Sequence, residues 1–166
     1  MFNRETLNMK TNTIRHLQMQ RGSSAKGNNP YYEINLSADY SYTWKGIAGV
    51  KRGDGSVFYL DKIAIDEINT LAENLLNGQK KRNFRVEETD RSWVTLRIEF
   101  ENGLLFESFE NHGDYLPYTQ NPPFESWVGE DIRIQGADIN QKEQIIKLLQ
   151  FEMELDRIFG VERVIK

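Results

Sequence analysis

The segment from Ser92 to Phe100 has an apolar side chain at every second position, and this alternation constrains the fold more than any other feature of the chain. The apolar side of the segment consists of Val94, Leu96, Ile98 and Phe100. A period of two is typical of a strand with one buried and one wet face, as in an antiparallel sheet that covers a core on one side. The residues "ENGLLFESFE" that follow predict a turn and a returning strand, so 92–109 reads as a hairpin.

Further strands are predicted upstream of this hairpin. Residues 13–20 form an imperfectly alternating strand, and "YYEINLS" (31–37) alternates cleanly through Tyr32, Ile34 and Leu36. Residues 41–60 predict another hairpin, because the Asp-Gly of "RGDG" between two apolar runs favours a tight turn.

The segment "IDEINTLAENLLNG" (65–78) predicts an amphipathic helix, because its apolar residues recur at steps of three and four. Asp66 and Glu67 stand near the expected start, where acidic side chains favour the positive end of the helix dipole. Gly78 marks the expected end.

A second amphipathic helix is predicted near the end of the chain, in residues 137–160. Asp138 precedes Gln141 by three positions, as in a capping box, and Gly160 follows the expected last turn. Glu152 interrupts the predicted buried stripe. The stripe consists of Ile145, Leu148, Leu149, Leu155 and Phe159.

The order of these elements predicts an α+β fold. Strands come in runs and helices come singly, so nothing supports the alternation of a parallel α/β sheet. We expect a mainly antiparallel, twisted sheet of about six strands with two amphipathic helices packed on one face. Residues 1–10 are predicted to be a disordered or frayed N-terminal extension, and residues 11–166 a single α+β domain.

Composition restricts the classes of function. The chain contains no cysteine, which excludes thiol catalysis, disulfides and Cys-rich zinc sites. No apolar run approaches the length of a membrane span, so we expect a cytoplasmic protein without a membrane partner. A formal net charge of −4 argues against general binding to phosphate backbones and favours a basic protein partner. No cofactor motif is present, and no cofactor is expected.

A long aromatic segment, residues 111–129, is the leading candidate for partner binding. Such long connections are usually functional or disordered, and the rings here favour function. The two prolines in "NPPF" stiffen the backbone and lower the entropy lost on binding. The alternative is that the rings fold back over the sheet and close the core. The predicted partner-binding residues are Tyr115, Tyr118, Phe124, Glu125 and Trp127.

Two other sites are possible on the residues alone. Glu110, His112 and Asp114 alternate, so an extended segment would place them on one side, where they could bind a metal or act in acid/base catalysis as part of an enzyme. The alternative is that these three residues simply form a polar turn after the second hairpin. A basic patch could bind nucleic acid, or could simply stabilise the preceding helix end. The patch consists of Lys80, Lys81, Arg82, Phe84 and Arg85.

The chain is expected to contain a hairpin, the helix "IDEINTLAENLL", the strand pair "SWVTLRIEFENGLLF" and a closing helix, in this order. This order of elements resembles that of small bacterial immunity proteins of the WapI-associated kind. The resemblance covers about residues 30–160 and transfers no functional residue. It implies a cytosolic, acidic, non-enzymatic immunity or inhibitor protein that neutralises a toxin by binding it. That function is the leading hypothesis from the sequence.

Overall fold

A computed structural model describes residues 12–22, 31–48, 56–78, 83–86, 93–110 and 139–161. The strands are β1 (Ile14–Gly22), β2 (Tyr31–Ser37), β3 (Ser41–Ala48), β4 (Val57–Tyr59), β5 (Asn83–Val86), β6 (Trp93–Phe100) and β7 (Leu105–Glu110). The described helices are α1 (Lys62–Gly78) and α2 (Ile139–Ile158). The strands form one seven-stranded sheet in the order β4-β3-β2-β1-β6-β7-β5.

The sheet is mainly antiparallel, which confirms the predicted α+β class. Both predicted hairpins are present, since β3 pairs with β4 and β6 pairs with β7 in antiparallel register. Gly103 turns the second hairpin at a φ of 84°, a conformation that favours glycine. The exception is β5, which runs parallel to β7 at one end of the sheet.

The centre of the sheet is β1, which pairs antiparallel with β2 on one side and with β6 on the other. Alternate residues of these strands are buried on one face, as the sequence period requires. The described core includes Leu17, Met19, Ile34, Leu36, Leu96, Ile98 and Phe106 from the strands. Residues of both helices complete the same core, so the apolar face of the sheet is the covered one.

Helix α1 begins earlier than the sequence predicts. The Asp61 carboxylate accepts a hydrogen bond from the Ala64 N–H at 2.8 Å and caps the helix, whereas Asp66 and Glu67 lie beyond the first turn. The sequence analysis ended the preceding hairpin at Leu60 and began the helix at Ile65, so residues 61–64 were assigned to neither element. Asn69 then fixes the helix to the sheet by accepting the Ile14 N–H at 3.0 Å.

Helix α2 ends where the sequence predicts, at a glycine. Gly160 has a φ of 68°, and its N–H donates to the Arg157 carbonyl at 3.1 Å. The buried positions are only partly those of the predicted stripe. The described buried residues from 139 to 161 are Gln144, Leu148, Phe151, Glu152, Leu155, Asp156, Phe159 and Val161, while Leu149 is half-buried.

The sequence did not predict β5. Phe84 and Val86 do alternate with polar residues, but the segment is only four residues long, and Phe84 and Arg85 were interpreted as part of a basic patch. The predicted extension 1–10 lies outside the described residues, as does "EDIRIQG" (130–136), which the sequence predicts as another short strand. Of the helices that the structure describes, none combines the length and the hydropathy that a membrane span requires.

Candidate functional site

Most residues of the predicted sites lie outside the described part of the chain. This holds for the aromatic segment 111–129 and for His112 and Asp114. The backbones of Phe84 and Arg85 lie in β5, and that of Glu110 ends β7. The remaining residues outside the description are Tyr115, Tyr118, Phe124, Glu125, Trp127, Lys80, Lys81 and Arg82. Within the described ranges, no group of His, Asp and Glu side chains is placed to hold a metal ion.

The face of β6 and β7 opposite the described core carries an ion-pair network. Arg97 Nη2 lies 2.9 Å from Glu99 Oε1, and Arg97 Nη1 pairs with Glu107 on the neighbouring strand. The hydrogen bond from Arg97 lowers the pKa of Glu99. A general acid needs a carboxyl whose pKa is raised, so Glu99 is an ion-pair partner on a solvated face.

Three aromatic rings cross the same face at the other end of β6. Trp93 lies edge-on to Tyr31 at a centroid distance of 5.8 Å and stacks with Phe109 at 6.4 Å. Gly22 lies directly under Trp93, and a Cβ built on this glycine would overlap the indole ring. All three rings are half-buried, so this row mainly packs the surface of the sheet.

A cluster of polar side chains is buried between the sheet and α2. Arg21 donates from Nε to the Tyr32 hydroxyl at 3.0 Å and from Nη2 to Asp156 Oδ2 at 2.8 Å. The Tyr32 hydroxyl donates to the other carboxylate oxygen of Asp156, and the Tyr32 ring stacks on Trp44. Glu152 lies one helical turn before Asp156 and is 1% exposed.

Burial sets the protonation of this cluster. It disfavours the Arg21 guanidinium, but Tyr32 and the carboxylates of Asp156 and Glu152 raise the pKa of Arg21 well above its ordinary value. Burial also raises the pKa of Tyr32 and of Asp156, although Arg21 acts in the opposite direction on both. The cluster is buried, and its hydrogen bonds join α2 to β1 and β2, so it fixes the position of the helix on the sheet.

A cleft of 620 Å³ lies between the two helices. Its lining consists of Leu71, Asn74, Leu75, Lys147, Gln150, Phe151, Met153 and Glu154. The buried members of this lining, Leu75 and Phe151, are apolar. Among the described residues of its lining, the cleft therefore offers no shielded acid, base or nucleophile.

The strongest candidate site is an exposed apolar surface at the β4 end of the sheet. Tyr40 is 41% exposed, Val57 57%, Tyr59 73% and Ile63 79%. Val57 and Tyr59 are alternate residues of β4, so they share one face, opposite to that of Phe58. The Tyr40 carbonyl accepts the N–H of the residue after Tyr59, and Ile63 lies in the first turn of α1. We call these four residues the β4 patch.

Tyr40 adopts an unusual backbone conformation. It ends the turn between β2 and β3, where its N–H donates to the Ser37 carbonyl at 3.0 Å, and its φ is 69°. Glycine is the usual residue at the left-handed position of a three-residue hairpin loop. A tyrosine there costs about 1–2 kcal/mol in backbone energy, and its side chain is largely exposed.

The charges that flank the β4 patch are mainly negative. Asp39 precedes Tyr40, and hydrogen bonds from Ser41 lower the pKa of Asp39, so this carboxylate is ionised at neutral pH. Asp61 is also exposed, while Lys62 is paired with Asp66 at 2.7 Å. The described segments 37–41 and 56–61 contain no lysine or arginine.

Comparison with known proteins assigns no family. The chain matches no protein-family model, and a search of curated proteins finds no significant match. The site must therefore be interpreted from its own geometry.

The sequence analysis missed the β4 patch, although a signal for it was present. "SVFYL" has four apolar residues in succession at positions 57–60, so a strand with Phe58 on the covered face must expose its neighbours. The sequence did not indicate that Tyr40 has a positive φ, because tyrosine does not favour this conformation and the turn imposes it.

Proposed function

We propose that this chain is a non-enzymatic protein-binding domain of the immunity or inhibitor kind, which binds a basic protein partner through the β4 patch. The exposure of four large apolar side chains at one corner of the fold carries the proposal. Isolated exposed apolar residues are ordinary on proteins, but these four lie in backbone elements that are adjacent: the turn before β3, β4 itself and the first turn of α1.

The composition of the β4 patch supports binding to protein. Tyrosine supplies a large contact area with few rotatable bonds and a hydroxyl that can find a partner, so it is enriched among the anchors of interfaces. Tyr40 keeps its side chain at a position where glycine would be favourable for the backbone. Retention of a strained residue with an exposed ring is expected where function needs that ring.

The charge around the β4 patch supports a basic partner. Asp39 and Asp61 are exposed beside it, and the whole chain has a formal net charge of −4. Complementary charge accelerates association and rejects acidic competitors. A cytosolic toxin with a basic surface fits this description. The segment 111–129, which the sequence predicts as the main contact with the partner, lies outside the described residues and stays a prediction.

The test is purification of the tagged full chain from its native host, followed by native mass spectrometry of the complex. We expect the wild type to retain a protein partner in stoichiometric amount. Tyr59→Ser should weaken that complex by about 30-fold, the factor that corresponds to an interface anchor worth ~2 kcal/mol.

Leu105→Ser is the matched control. Leu105 is also an exposed apolar strand residue, at 36%, but lies on β7, far from β4 in the strand order. This variant should retain the partner. Neither substitution should change the free energy of unfolding by more than ~0.5 kcal/mol, because both positions are on the surface. Equal retention of the partner by Tyr59→Ser and the wild type would contradict the proposal.

A further inference from the structure

The backbone of β4 shows how a partner could bind there. Leu60 N–H donates to the Tyr40 carbonyl at 2.9 Å, in continuation of the register that pairs Phe58 with Tyr42. In an antiparallel pair, residues that exchange hydrogen bonds alternate with residues whose peptide groups point away. The N–H and C=O groups of Val57 and Tyr59 therefore point away from β3, toward the end of the sheet.

This end of the sheet has the form of a template for one more strand. β4 is the terminal strand of the sheet, and no described strand pairs with its outer edge. The outward peptide groups of Val57 and Tyr59 can exchange backbone hydrogen bonds with an extended segment. Their side chains are exposed on the face beside that edge and would contact alternate side chains of the incoming segment.

From this arrangement we infer that the partner docks by β-augmentation: an extended, basic segment of another protein adds to the outer edge of β4 as an eighth strand next to the seven described. The inference rests on the proposed function and specifies its binding mode. A helix could cover the β4 patch but could not use the outward peptide groups.

Charge selects a basic segment over a second copy of this chain. An isologous pairing would bring Asp39 and Asp61 of two acidic molecules to the same edge, and like charges in that position repel. A strand with lysine or arginine at alternate positions would instead place cations near these carboxylates. Its remaining side chains would meet Val57 and Tyr59.

The direct test uses a short synthetic peptide of alternating lysine and valine, titrated into the isotope-labelled full chain and followed by NMR. We expect amide shifts centred on Val57 and Tyr59. The same peptide with alternate backbone nitrogens methylated should produce no such shifts, since it cannot form the hydrogen bonds. A peptide of alternating glutamate and valine should bind more weakly than the lysine peptide.

Two variants test the edge from the side of the protein. Val57→Pro removes an outward N–H that β3 does not use, so the fold should tolerate it. It should weaken peptide binding about tenfold, the effect of one lost hydrogen bond. Val57→Thr keeps the N–H and a similar shape and should bind as the wild type does. If Val57→Pro fails to fold, the comparison of the methylated and unmethylated peptides still tests whether binding needs backbone hydrogen bonds.

The outcomes separate this inference from the proposed function. Loss of the natural partner in Tyr59→Ser, with full retention in Val57→Pro, would leave the proposed function intact and overturn β-augmentation. Equal binding of the methylated and unmethylated peptides would overturn it as well. Concentration-dependent dimerisation with shifts at β4 in analytical ultracentrifugation and NMR would replace the basic segment by a second copy.

Discussion

Replacing Arg21 with methionine removes the only described cation of the buried cluster between the sheet and α2. Asp156 and Glu152 are 0% and 1% exposed, so water cannot solvate the carboxylates that remain. Removing one partner of a buried ion pair lowers the free energy of unfolding by about 3–5 kcal/mol. That is a large part of the ~5–15 kcal/mol that stabilises an ordinary domain. We therefore expect Arg21→Met to be close to unfolded at neutral pH.

The same reasoning predicts a rescue. The triple variant Arg21→Met, Glu152→Leu and Asp156→Leu removes the stranded charges together with the cation, and leucine favours the helix. Replacing a buried ionic group by apolar residues of similar size is often neutral or stabilising. The quadruple variant, which also carries Tyr32→Phe to remove the hydroxyl that loses its acceptor, should therefore be within ~1 kcal/mol of the wild type.

Urea unfolding followed by circular dichroism and tryptophan fluorescence measures these differences, and Trp44 reports on the cluster because it stacks on Tyr32. Arg21→Lys is the control that keeps the charge, and it should lose less stability than Arg21→Met. The loss in Arg21→Met should shrink at acid pH, where the carboxyls are protonated. A loss below ~1 kcal/mol in Arg21→Met, or no recovery in the combined variant, would refute the reasoning.

Three further predictions concern stability. Tyr40→Gly should raise the free energy of unfolding by about 0.5–1 kcal/mol in urea, since relief of the left-handed strain exceeds the entropy cost of glycine; Tyr40→Phe should not. Asp156 has a folded pKa raised by burial, so its contribution to stability is complete below its unfolded pKa of ~3.9 and falls as pH rises toward the folded value. In unfolding curves measured over a series of pH values, the free energy of unfolding of Asp156→Asn should not show this decline. Gly22→Ala should lose about 1–3 kcal/mol and change Trp93 fluorescence, because the methyl group overlaps the indole.

Local periodicity was sufficient for the elements that face the core. The alternation in β6 and β2 and the three-to-four spacing in α1 report directly which side of each element is buried, and the structure confirms them. The start of α1 was missed because Asp61 acts as a cap only if the preceding strand ends at Tyr59. That boundary depends on pairing with β3, which is not a local property.

Long-range partners could not be predicted from one sequence. Arg21 and Asp156 are 135 positions apart, and the sequence around each residue gives no indication that the other is its partner. Glu152 was interpreted as a break in an apolar stripe, although it is one of the buried residues that face Arg21. The short parallel strand β5 was missed for the same reason, because its pairing with β7 is fixed by the path of the chain.

The central claim is that a partner binds at the β4 end of the sheet. Hydrogen–deuterium exchange of the free chain and of its purified complex tests this most directly, because it locates the amides that binding protects. We predict new protection in the turn around Tyr40 and in residues 56–63. Protection confined to the segment 111–129, or to the face of β6 and β7 opposite the described core, would contradict the claim.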